Sequence, residues 1–240
     1  MNEGNEVKEE TIILPKKQHI PIHEAVEKTI EKVVKPIAKI VEPIEKKTKI
    51  IGLTGGIGSG KTTVANYMQS KGIPVYISDV EAKRVMDFPE IISKIVKEFG
   101  IDVIGTNNLL DREKLAAIVF NNPDQLKKLN AIVHPAVKEH FDNWVLSNKN
   151  QSIIVKETAI LFESGSYKDC DVIISVVAPL ETRISRVIKR DTTTREKILQ
   201  RINNQLSDEE RIERSNYVIN NENFDNTKQK VDEILNSLKN

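Results

Sequence analysis

One run of eight residues combines four glycines with a lysine and a threonine at a spacing suited to binding phosphate. It reads Gly55-Gly56-Ile57-Gly58-Ser59-Gly60-Lys61-Thr62 and fits the pattern G-x-x-x-x-G-K-[ST]. Glycine lets the backbone turn so that successive N–H groups point into one concavity, which can hold phosphate oxygens. We therefore predict a phosphate-binding loop at residues 55–62, called the phosphate loop below.

The last two residues of the phosphate loop, Lys61 and Thr62, are of types that bind the phosphates and the Mg²⁺ of a nucleoside triphosphate. Lys61 can reach the β- and γ-phosphates, and the Thr62 hydroxyl can ligate Mg²⁺. A glycine-rich run can also be a simple tight turn, but the Lys-Thr pair, a preceding apolar strand and a following helix favour phosphate binding. The residues expected to contact ATP here are Gly56, Ile57, Gly58, Ser59, Gly60, Lys61, Thr62 and Thr63.

Apolar strands alternate with helical stretches from Lys49 onward, and this order predicts a three-layer α/β fold with a parallel sheet. Continuous apolar runs are typical of strands that are buried on both faces. The predicted strands, about five in number, are residues 50–53, 73–77, 152–155, 172–177 and 217–219. The predicted helices are residues 62–71, 180–190, 195–214 and 225–238, and residues 80–148 are mostly helical. Within that region we predict breaks at Pro89, residues 100–108, Pro123 and Pro135.

Asp79 follows the second predicted strand, at the carboxyl edge of the sheet, where ligands bind in open α/β folds. A carboxylate there can accept the proton of an acceptor hydroxyl, or orient that hydroxyl for in-line attack. Aspartate is also a favourable N-cap for a helix that begins near residue 80. The sequence leaves both roles open, and one residue can fill both.

Three arginines share one face of the predicted helix at residues 180–190: Arg183, Arg186 and Arg190. Cations on such a face can close over a transferring phosphoryl group, whose negative charge spreads over its oxygens. The alternative is a solvated surface of ion pairs, which contributes little to stability. Because the guanidinium fork suits phosphate better than lysine does, we predict a lid at residues 183–214. We assign its catalytic role to Arg190.

The overall charge excludes some classes of protein. The chain has 36 Lys and Arg against 35 Asp and Glu, for a net charge of +1, whereas nucleic-acid binders usually carry a basic excess. No apolar stretch approaches the length of about 18 residues that a membrane span needs, and no secretory signal pattern is present near the start. We expect a cytoplasmic protein without nucleic-acid or membrane partners.

Residues 1–48 differ in composition from the rest of the chain. They are rich in Glu and Lys and contain no aromatic residue, Asp or Arg. Apolar residues recur there at alternating spacings of four and three, which is typical of a coiled coil or of a helix on a partner. Pro36 and Pro43 interrupt this pattern. We interpret the segment as a charged, partly helical or disordered extension whose partner is unknown. A solvated tail without a role is an equal alternative. The residues of the pattern are Val26, Ile30, Val33, Ile37, Ile40 and Ile44.

A phosphate loop alone does not distinguish kinases from GTPases or motor ATPases. No Asn-Lys-x-Asp run follows the third predicted strand to recognise guanine, and the length does not suit a helicase or a transporter ATPase with partner domains. These observations favour a kinase with a small-molecule acceptor. The alternatives are another nucleoside or nucleotide kinase of this architecture, and a nucleotide-dependent switch that acts through the extension.

An ordered set of short motifs resembles the dephospho-coenzyme A kinase family. The set opens with residues 53–62 and 73–79, and the resemblance covers residues 49–238. The phosphate loop occurs in many families, whereas this ordered set is specific to one. The later motifs are Leu110-Asp111-Arg112, Val119-Phe120, His134-Pro135, Ile160-Leu161-Phe162-Glu163, Arg190-Asp191, Arg201-Ile202 with Gln205, and Val218-Ile219-Asn220-Asn221.

The resemblance implies the fold of a P-loop kinase and a reaction. In that reaction the γ-phosphoryl group of ATP, with Mg²⁺, is transferred to the ribose 3′-hydroxyl of dephospho-coenzyme A, which is the last step of coenzyme A biosynthesis. It implies a kinase domain at residues 49–240, in which the helices of residues 80–148 form a coenzyme-binding subdomain. Asp79 is then the base.

The resemblance also implies contacts for single residues. It places Arg112 and His134 at the acceptor, and Arg190 and Asn221 at ATP. For His134 the alternative is a structural role, because a lone histidine is more often structural than catalytic.

The chain departs from the family pattern at two places. Glu157 and Ala159 stand where the family commonly has Asp and Pro, and Ser215-Asn216 stands where it commonly has Ala-Asp. Glu157 keeps a carboxylate that can hold Mg²⁺ through water, so it is the second expected metal residue beside Thr62. Asn216 lacks the charge, so we expect no ionic role for it.

Overall fold

A computed structural model describes residues 48–120 and 122–239 of the chain. The predicted extension at residues 1–48 lies outside them, apart from Thr48. Within the described residues the strands are β1 Lys49–Thr54, β2 Val75–Ile77, β3 Ile153–Glu157, β4 Val172–Val177 and β5 Tyr217–Asn220. They form one sheet in the order β2-β3-β1-β4-β5, and each neighbouring pair is parallel. The predicted parallel sheet of about five strands is confirmed.

Helices cover the sheet and extend beyond it. They are α1 Lys61–Ser70, α2 Ser78–Val85, α3 Pro89–Phe99, α4 Arg112–Val119, α5 Pro123–Ser147, α6 Leu180–Arg190, α7 Arg195–Asn203, α8 Asp208–Glu213 and α9 Phe224–Lys239. Short 3₁₀ turns occur at Ile101–Val103 and Ser166–Asp169. In the described part of the chain, none of the helices combines the length and apolarity required to cross a bilayer.

The two faces of the sheet pack against different helices, which gives the three predicted layers. Alternate side chains of a strand point to opposite faces. Ile51 and Leu53 of β1 pack with α1 and α9, whereas Ile50 packs with Phe141 of α5 and Tyr76 of β2. All five side chains are at most 4% exposed. Burial on both faces explains why the strands are continuous apolar runs.

Helices α2 to α5, which make up the predicted helical subdomain, pack around an apolar cluster of their own. The cluster comprises Val85, Ile91, Ile95, Val103, Leu110, Leu115, Val119, Leu129 and Val133. The predicted breaks at Pro89, at residues 100–108 and at Pro123 are confirmed.

The break predicted at Pro135 is wrong, because α5 continues through it. Proline removes the hydrogen bond that its N–H would donate to the carbonyl four residues earlier. Here that carbonyl belongs to Ala131, and both Ala131 and Pro135 are exposed. Water can therefore satisfy the freed carbonyl. Buried residues hold the helix on both sides of Pro135: Leu129 and Val133 before it, and Phe141 after it.

The predicted single helix at residues 195–214 is also wrong, because α7 and α8 are separated there. Ser207 caps α8 in a capping box with Glu210: its hydroxyl accepts from the N–H of Glu210, whose carboxylate accepts from the N–H of Ser207. Such a box favours a helix start at this position. Helices α6 and α7 both pack on the phosphate loop, since Ile57 shares an apolar cluster with Ile184 and Val187 of α6 and with Ile198 of α7.

Candidate active site

The phosphate loop joins β1 to α1, and its backbone requires glycine. Gly58 and Gly60 have φ values of 77° and 91°, in the left-handed region that side chains disfavour. A Cβ on Gly58 would lie 2.5 Å from the carbonyl oxygen of Arg183, and one on Gly60 would collide with the carboxamide of Asn221. The loop is thus closely enclosed by α6 and by the segment that follows β5.

Backbone N–H groups at the start of α1 are available to an anion. The first hydrogen bond of this helix joins the N–H of Val64 to the carbonyl of Gly60, at 3.1 Å. The N–H groups of Lys61, Thr62 and Thr63 precede it and have no partner within the helix. The Ser59 hydroxyl is also buried without a hydrogen-bond partner. This donor set fits the phosphates of ATP, since the positive end of the helix favours an anion at the same place.

The strand order brings Lys61, Glu157 and Asp79 to one edge of the sheet. Strand β3 lies between β1 and β2, with Glu157 paired with Leu53 on one side and Ile77 on the other. The phosphate loop follows β1, and Asp79 lies two residues beyond the end of β2. Parallel strands present their carboxyl ends at one edge, so the cation and the two carboxylates converge there.

Electrostatic interactions within this group shift the pKa values of Lys61 and Glu157. Burial lowers the pKa of Lys61, and the negative charges of Glu157 and Asp79 oppose this change. Burial also raises the pKa of Glu157; Lys61 opposes the rise and Asp79 adds to it. Opposite charges in a partly desolvated site interact more strongly than in water. Lys61 is therefore a poorly hydrated cation that phosphate oxygens can approach.

Asp79 is not a helix cap. Helix α2 begins at Ser78 directly after β2, its N-cap position is Ile77, and no side chain caps it. Asp79 lies in the first turn, where its side chain is exposed. The alternative role of N-cap is therefore wrong, because the helix starts two residues earlier than predicted.

A cavity of about 480 Å³ adjoins Asp79. Its walls come from α2, from α5 and from residues 156–169, and they include both Asp79 and His134. Three lysines line this cavity, Lys138, Lys156 and Lys168, and the first two each pair with Asp169. His134 lies inside α5, which continues through the predicted break at Pro135. The structure thus brings two of the three predicted acceptor residues to one cavity.

Arg112, the third predicted acceptor residue, lies elsewhere. It begins α4, donates to the Asp87 carboxylate at 2.6 Å and donates to the carbonyl of Lys83 at 2.8 Å. It does not line the cavity that contains Asp79 and His134. In this structure its contacts connect α4 to α2.

The three arginines of α6 differ in their contacts. Arg183 donates to the carbonyl of Ile57 at 2.9 Å, and Arg186 donates to the carbonyls of Ser59 and Asn221. Arg190 instead pairs with Asp191 at 2.8 Å, and its side chain is 62% exposed. Thus Arg183 and Arg186 contact the phosphate loop, while Arg190 lies at the exposed end of the helix.

Asn221 also contacts the phosphate loop. Its amide nitrogen donates to the Ser59 carbonyl at 2.8 Å, and its amide oxygen accepts from the Thr227 hydroxyl at 3.1 Å. The residue is 3% exposed. Its carboxamide therefore supports the loop from the side of β5.

Comparison with known proteins decides the family. The profile of the family described as dephospho-CoA kinase matches residues 49–226. A dephospho-CoA kinase of Bacteroides fragilis is 42% identical over 172 residues, which cover 72% of this chain and 84% of the relative. One from Fusobacterium nucleatum is 40% identical over 190 residues, which cover 79% and 98% respectively. The chain belongs to the dephospho-CoA kinase family.

Solved structures agree with this family membership. A crystal structure of a Thermus thermophilus protein has a TM-score of 0.71 and 34% identity, covering 79% of this chain and 97% of that one. The dephospho-CoA kinase of Campylobacter jejuni has a TM-score of 0.58 at 21% identity, covering 80% and 98%. The second likeness shows the fold, which is the three-layer P-loop kinase fold predicted from the sequence.

This member of the dephospho-CoA kinase family has Asn216 where the family commonly has Asp. The contacts of Asn216 explain why a neutral side chain suffices. The Asn216 amide oxygen accepts from the N–H of Ile173 at 2.8 Å, and its own N–H donates to the Ile173 carbonyl at 2.9 Å. A neutral oxygen is sufficient for this contact between β4 and the residue before β5. No charge is needed at this position.

Gln205 contacts the phosphate loop, a role that neither its residue type nor its spacing indicates. Its side-chain oxygen accepts from the N–H of Ile57 at 2.9 Å. It lies between α7 and α8, in the segment that was predicted to be continuous helix. The only signal for it was its place in the family motif after Arg201.

Proposed function

We propose that the protein transfers the γ-phosphoryl group of ATP to the ribose 3′-hydroxyl of dephospho-CoA. The observation that carries the proposal is the position of Asp79. This carboxylate couples electrostatically to Lys61 of the phosphate loop and also lines the 480 Å³ cavity beside it. An acceptor hydroxyl in that cavity would lie between the carboxylate and the phosphates. Family membership supplies the identity of the acceptor.

Positioning and charge account for most of the proposed catalysis. The N–H groups of the phosphate loop hold the triphosphate, and Lys61 draws negative charge from the γ-phosphoryl oxygens as the bond to the leaving oxygen loosens. Asp79 orients the attacking hydroxyl and accepts its proton. Helices α2 and α5 hold the acceptor so that its hydroxyl is in line with the leaving oxygen, which removes much of the entropic barrier.

Thr62 and Glu157 are the residues that would hold Mg²⁺. In the described residues no group of three or more His, Cys, Asp and Glu side chains could bind a metal by itself. Mg²⁺ is usually bound by one or two protein oxygens together with substrate phosphates and water. A threonine hydroxyl at the phosphates and a buried carboxylate beside Lys61 fit that pattern. When bound, Mg²⁺ neutralises charge on the phosphates.

Turnover with different acceptors tests the proposed reaction. We expect ADP formation to depend on dephospho-CoA and to be near background with AMP, with shikimate or without acceptor. Comparable turnover with AMP would indicate a nucleotide kinase. ATP binding without turnover on any acceptor would indicate a nucleotide-dependent switch.

Replacing Glu157 by glutamine tests the proposed metal site. We expect the Mg²⁺ concentration for half-maximal velocity to rise, and kcat to fall, by about 10- to 100-fold, which is typical for residues that act on a metal through a second layer. Titration of Mg²⁺ against initial velocity and against ATP affinity gives both values. Glu233→Gln, an exposed residue of α9 paired with Lys230, is the control. An unchanged Mg²⁺ requirement in Glu157→Gln would reject this role.

Removal of residues 1–47 tests the predicted extension. We expect kcat with dephospho-CoA to be nearly unchanged, because the catalytic groups all lie beyond it in the sequence. The cut retains Thr48, which is 4% exposed and whose hydroxyl donates to the carbonyl of Lys149 at 3.0 Å. A second truncation that also removes Thr48 should lose about 1 kcal/mol of stability, measured by urea unfolding. Loss of activity in the folded first truncation would contradict the prediction.

A further inference from the structure

Asp208, at the start of α8, lies between two buried arginines. Its Oδ2 accepts from Nη1 of Arg183 and its Oδ1 accepts from Nη1 of Arg211, both at 2.6 Å. The side chains of Arg183 and Arg211 are 6% and 1% exposed, and that of Asp208 is 25% exposed. These three residues are called the buried triad below. They connect α6 to α8.

The carboxylate of Asp208 is what makes this arrangement of cations possible. Two guanidinium groups within reach of one carboxylate repel each other, and burial weakens the screening of that repulsion. Burial lowers the pKa of Arg211, and the Asp208 charge opposes the change. Arg211 also donates to the Leu206 carbonyl at 2.7 Å, but its Nε has no hydrogen-bond partner. Without Asp208, Arg183 and Arg211 would lose the carboxylate between them, which leaves their bonds to the carbonyls of Ile57 and Leu206.

Arg183 connects the buried triad to the phosphate loop. Its Nε donates to the Ile57 carbonyl, and its guanidinium lies so close to Gly56 that a Cβ there would collide with it. Its own backbone occupies the space beside Gly58. From the segment between α7 and α8, Gln205 accepts from the N–H of Ile57. Both polar groups of the Ile57 backbone are therefore held by residues from outside the loop.

These two contacts set the direction of the neighbouring peptide groups. In a planar trans peptide the C=O and the N–H point to opposite sides. Because Arg183 fixes the Ile57 carbonyl, the N–H of Gly58 in the same peptide points away from Arg183. Because Gln205 fixes the Ile57 N–H, the Gly56 carbonyl points away from Gln205, and it accepts from the N–H of Ser59 at 3.1 Å. The loop's N–H directions are thus set by its neighbours.

We propose that Asp208 is a positioning residue for phosphoryl transfer, which acts by fixing Arg183 against the Ile57 carbonyl and so aligns the N–H groups that receive the phosphates of ATP. Arg183 then serves the loop's geometry and does not act as a cation on the transferring group. The inference rests on the proposed function, since it assumes that ATP occupies the phosphate loop.

Kinetics of Asp208→Asn and Arg183→Lys test this role. We expect kcat/KM for ATP to fall by about 100-fold in each, because a displacement of about 1 Å in a positioned group can cost that much. KM for dephospho-CoA should be unchanged. Lysine keeps the charge of Arg183 but cannot donate to Ile57 and Asp208 from one planar fork, so Arg183→Lys separates geometry from charge. Asp208→Glu, which retains the carboxylate, should recover part of the loss.

Glu181→Gln is the matched control. Glu181 forms an ion pair of the same 2.6 Å length with Arg195, between α6 and α7, but neither residue contacts the phosphate loop. We expect its kinetic constants to equal those of the wild type. Circular dichroism and thermal unfolding identify any variant that is not folded. If Asp208→Asn does not fold, Arg183→Lys decides the question.

Three results would overturn the inference: normal kcat/KM for ATP in folded Asp208→Asn, normal values in Arg183→Lys, or an equal loss in Glu181→Gln. Calorimetric titration of each variant with ATP makes the test independent of the acceptor. If the wild type binds ATP but does not phosphorylate dephospho-CoA, the proposed function fails. Weaker ATP binding in Asp208→Asn and Arg183→Lys would then still support the inference.

Discussion

Lys61→Ala will reduce phosphoryl transfer by about 10²- to 10³-fold or more, the range seen when one charge-stabilising group is removed from an active site. Lys61 is the cation that couples to Glu157 and Asp79 at the sheet edge. Arg183, whose charge adds to the effect of burial in lowering the pKa of Lys61, already donates to the Ile57 carbonyl and to Asp208. Arg186 likewise already donates to the carbonyls of Ser59 and Asn221. We therefore expect neither arginine to replace Lys61 at the β- and γ-phosphates.

Measurement of kcat with saturating ATP and dephospho-CoA checks this prediction, with circular dichroism to confirm folding. Lys71→Ala is the matched control, because Lys71 follows the last residue of the same helix and pairs with Asp232 on the surface. The control should retain wild-type kcat. Wild-type turnover in Lys61→Ala would reject the assignment of the phosphate loop.

Asp79→Asn will lower kcat by about 10²- to 10⁴-fold if Asp79 accepts the proton of the 3′-hydroxyl. In a loose transition state the bond to the attacking hydroxyl is little formed, so proton removal by a base contributes less to the rate. We therefore expect a decrease in kcat near the lower end of this range. ATP binding should change little, because the phosphate loop carries it. Stability should change by less than about 1 kcal/mol, since Asp79 caps no helix and only its interaction with the helix dipole is lost.

Asp124→Asn is the control for the helix dipole. Asp124 is also an exposed aspartate in the first turn of a helix, α5, but it does not line the cavity. Both variants should lose similar stability, measured by urea unfolding, and only Asp79→Asn should lose kcat. Near-normal kcat in Asp79→Asn would show that Asp79 is not the base. Glu157 would then be the first other carboxylate to test for that role.

Local spacing was sufficient to predict the phosphate loop and the sheet. The glycines, Lys61 and Thr62 specify their roles within eight consecutive residues, and the buried strands are continuous apolar runs. Asp79 could be placed at the sheet edge because it follows such a run. Its position next to Glu157 depends on the strand order β2-β3-β1, in which β3 lies between two strands that are consecutive in the chain. Consecutive strands are more often neighbours, so the sequence alone did not predict this contact.

The predictions from sequence were wrong or incomplete where contacts between residues far apart in the chain decide the structure. Pro135 predicts a helix break, yet α5 is held by its apolar neighbours and exposes the freed carbonyl to water. Arg183, Arg186 and Arg190 share one helix face, and periodicity cannot tell which of them meets the phosphate loop. The preference for Arg190 as the catalytic arginine stays a prediction, since the structure holds Arg190 in an exposed pair with Asp191.

The direct junction of β2 and α2 restricts how this part of the gene can change. Ile77 ends the strand and Ser78 begins the helix that carries both Asp79 and the buried Val85. One residue inserted between Asp79 and Val85 would turn the carboxylate by about 100° relative to the apolar contacts of the subdomain. Substitutions on the exposed side of α2 leave that angle intact. We therefore expect substitutions on the exposed side of α2 to be tolerated better than insertions or deletions in this segment.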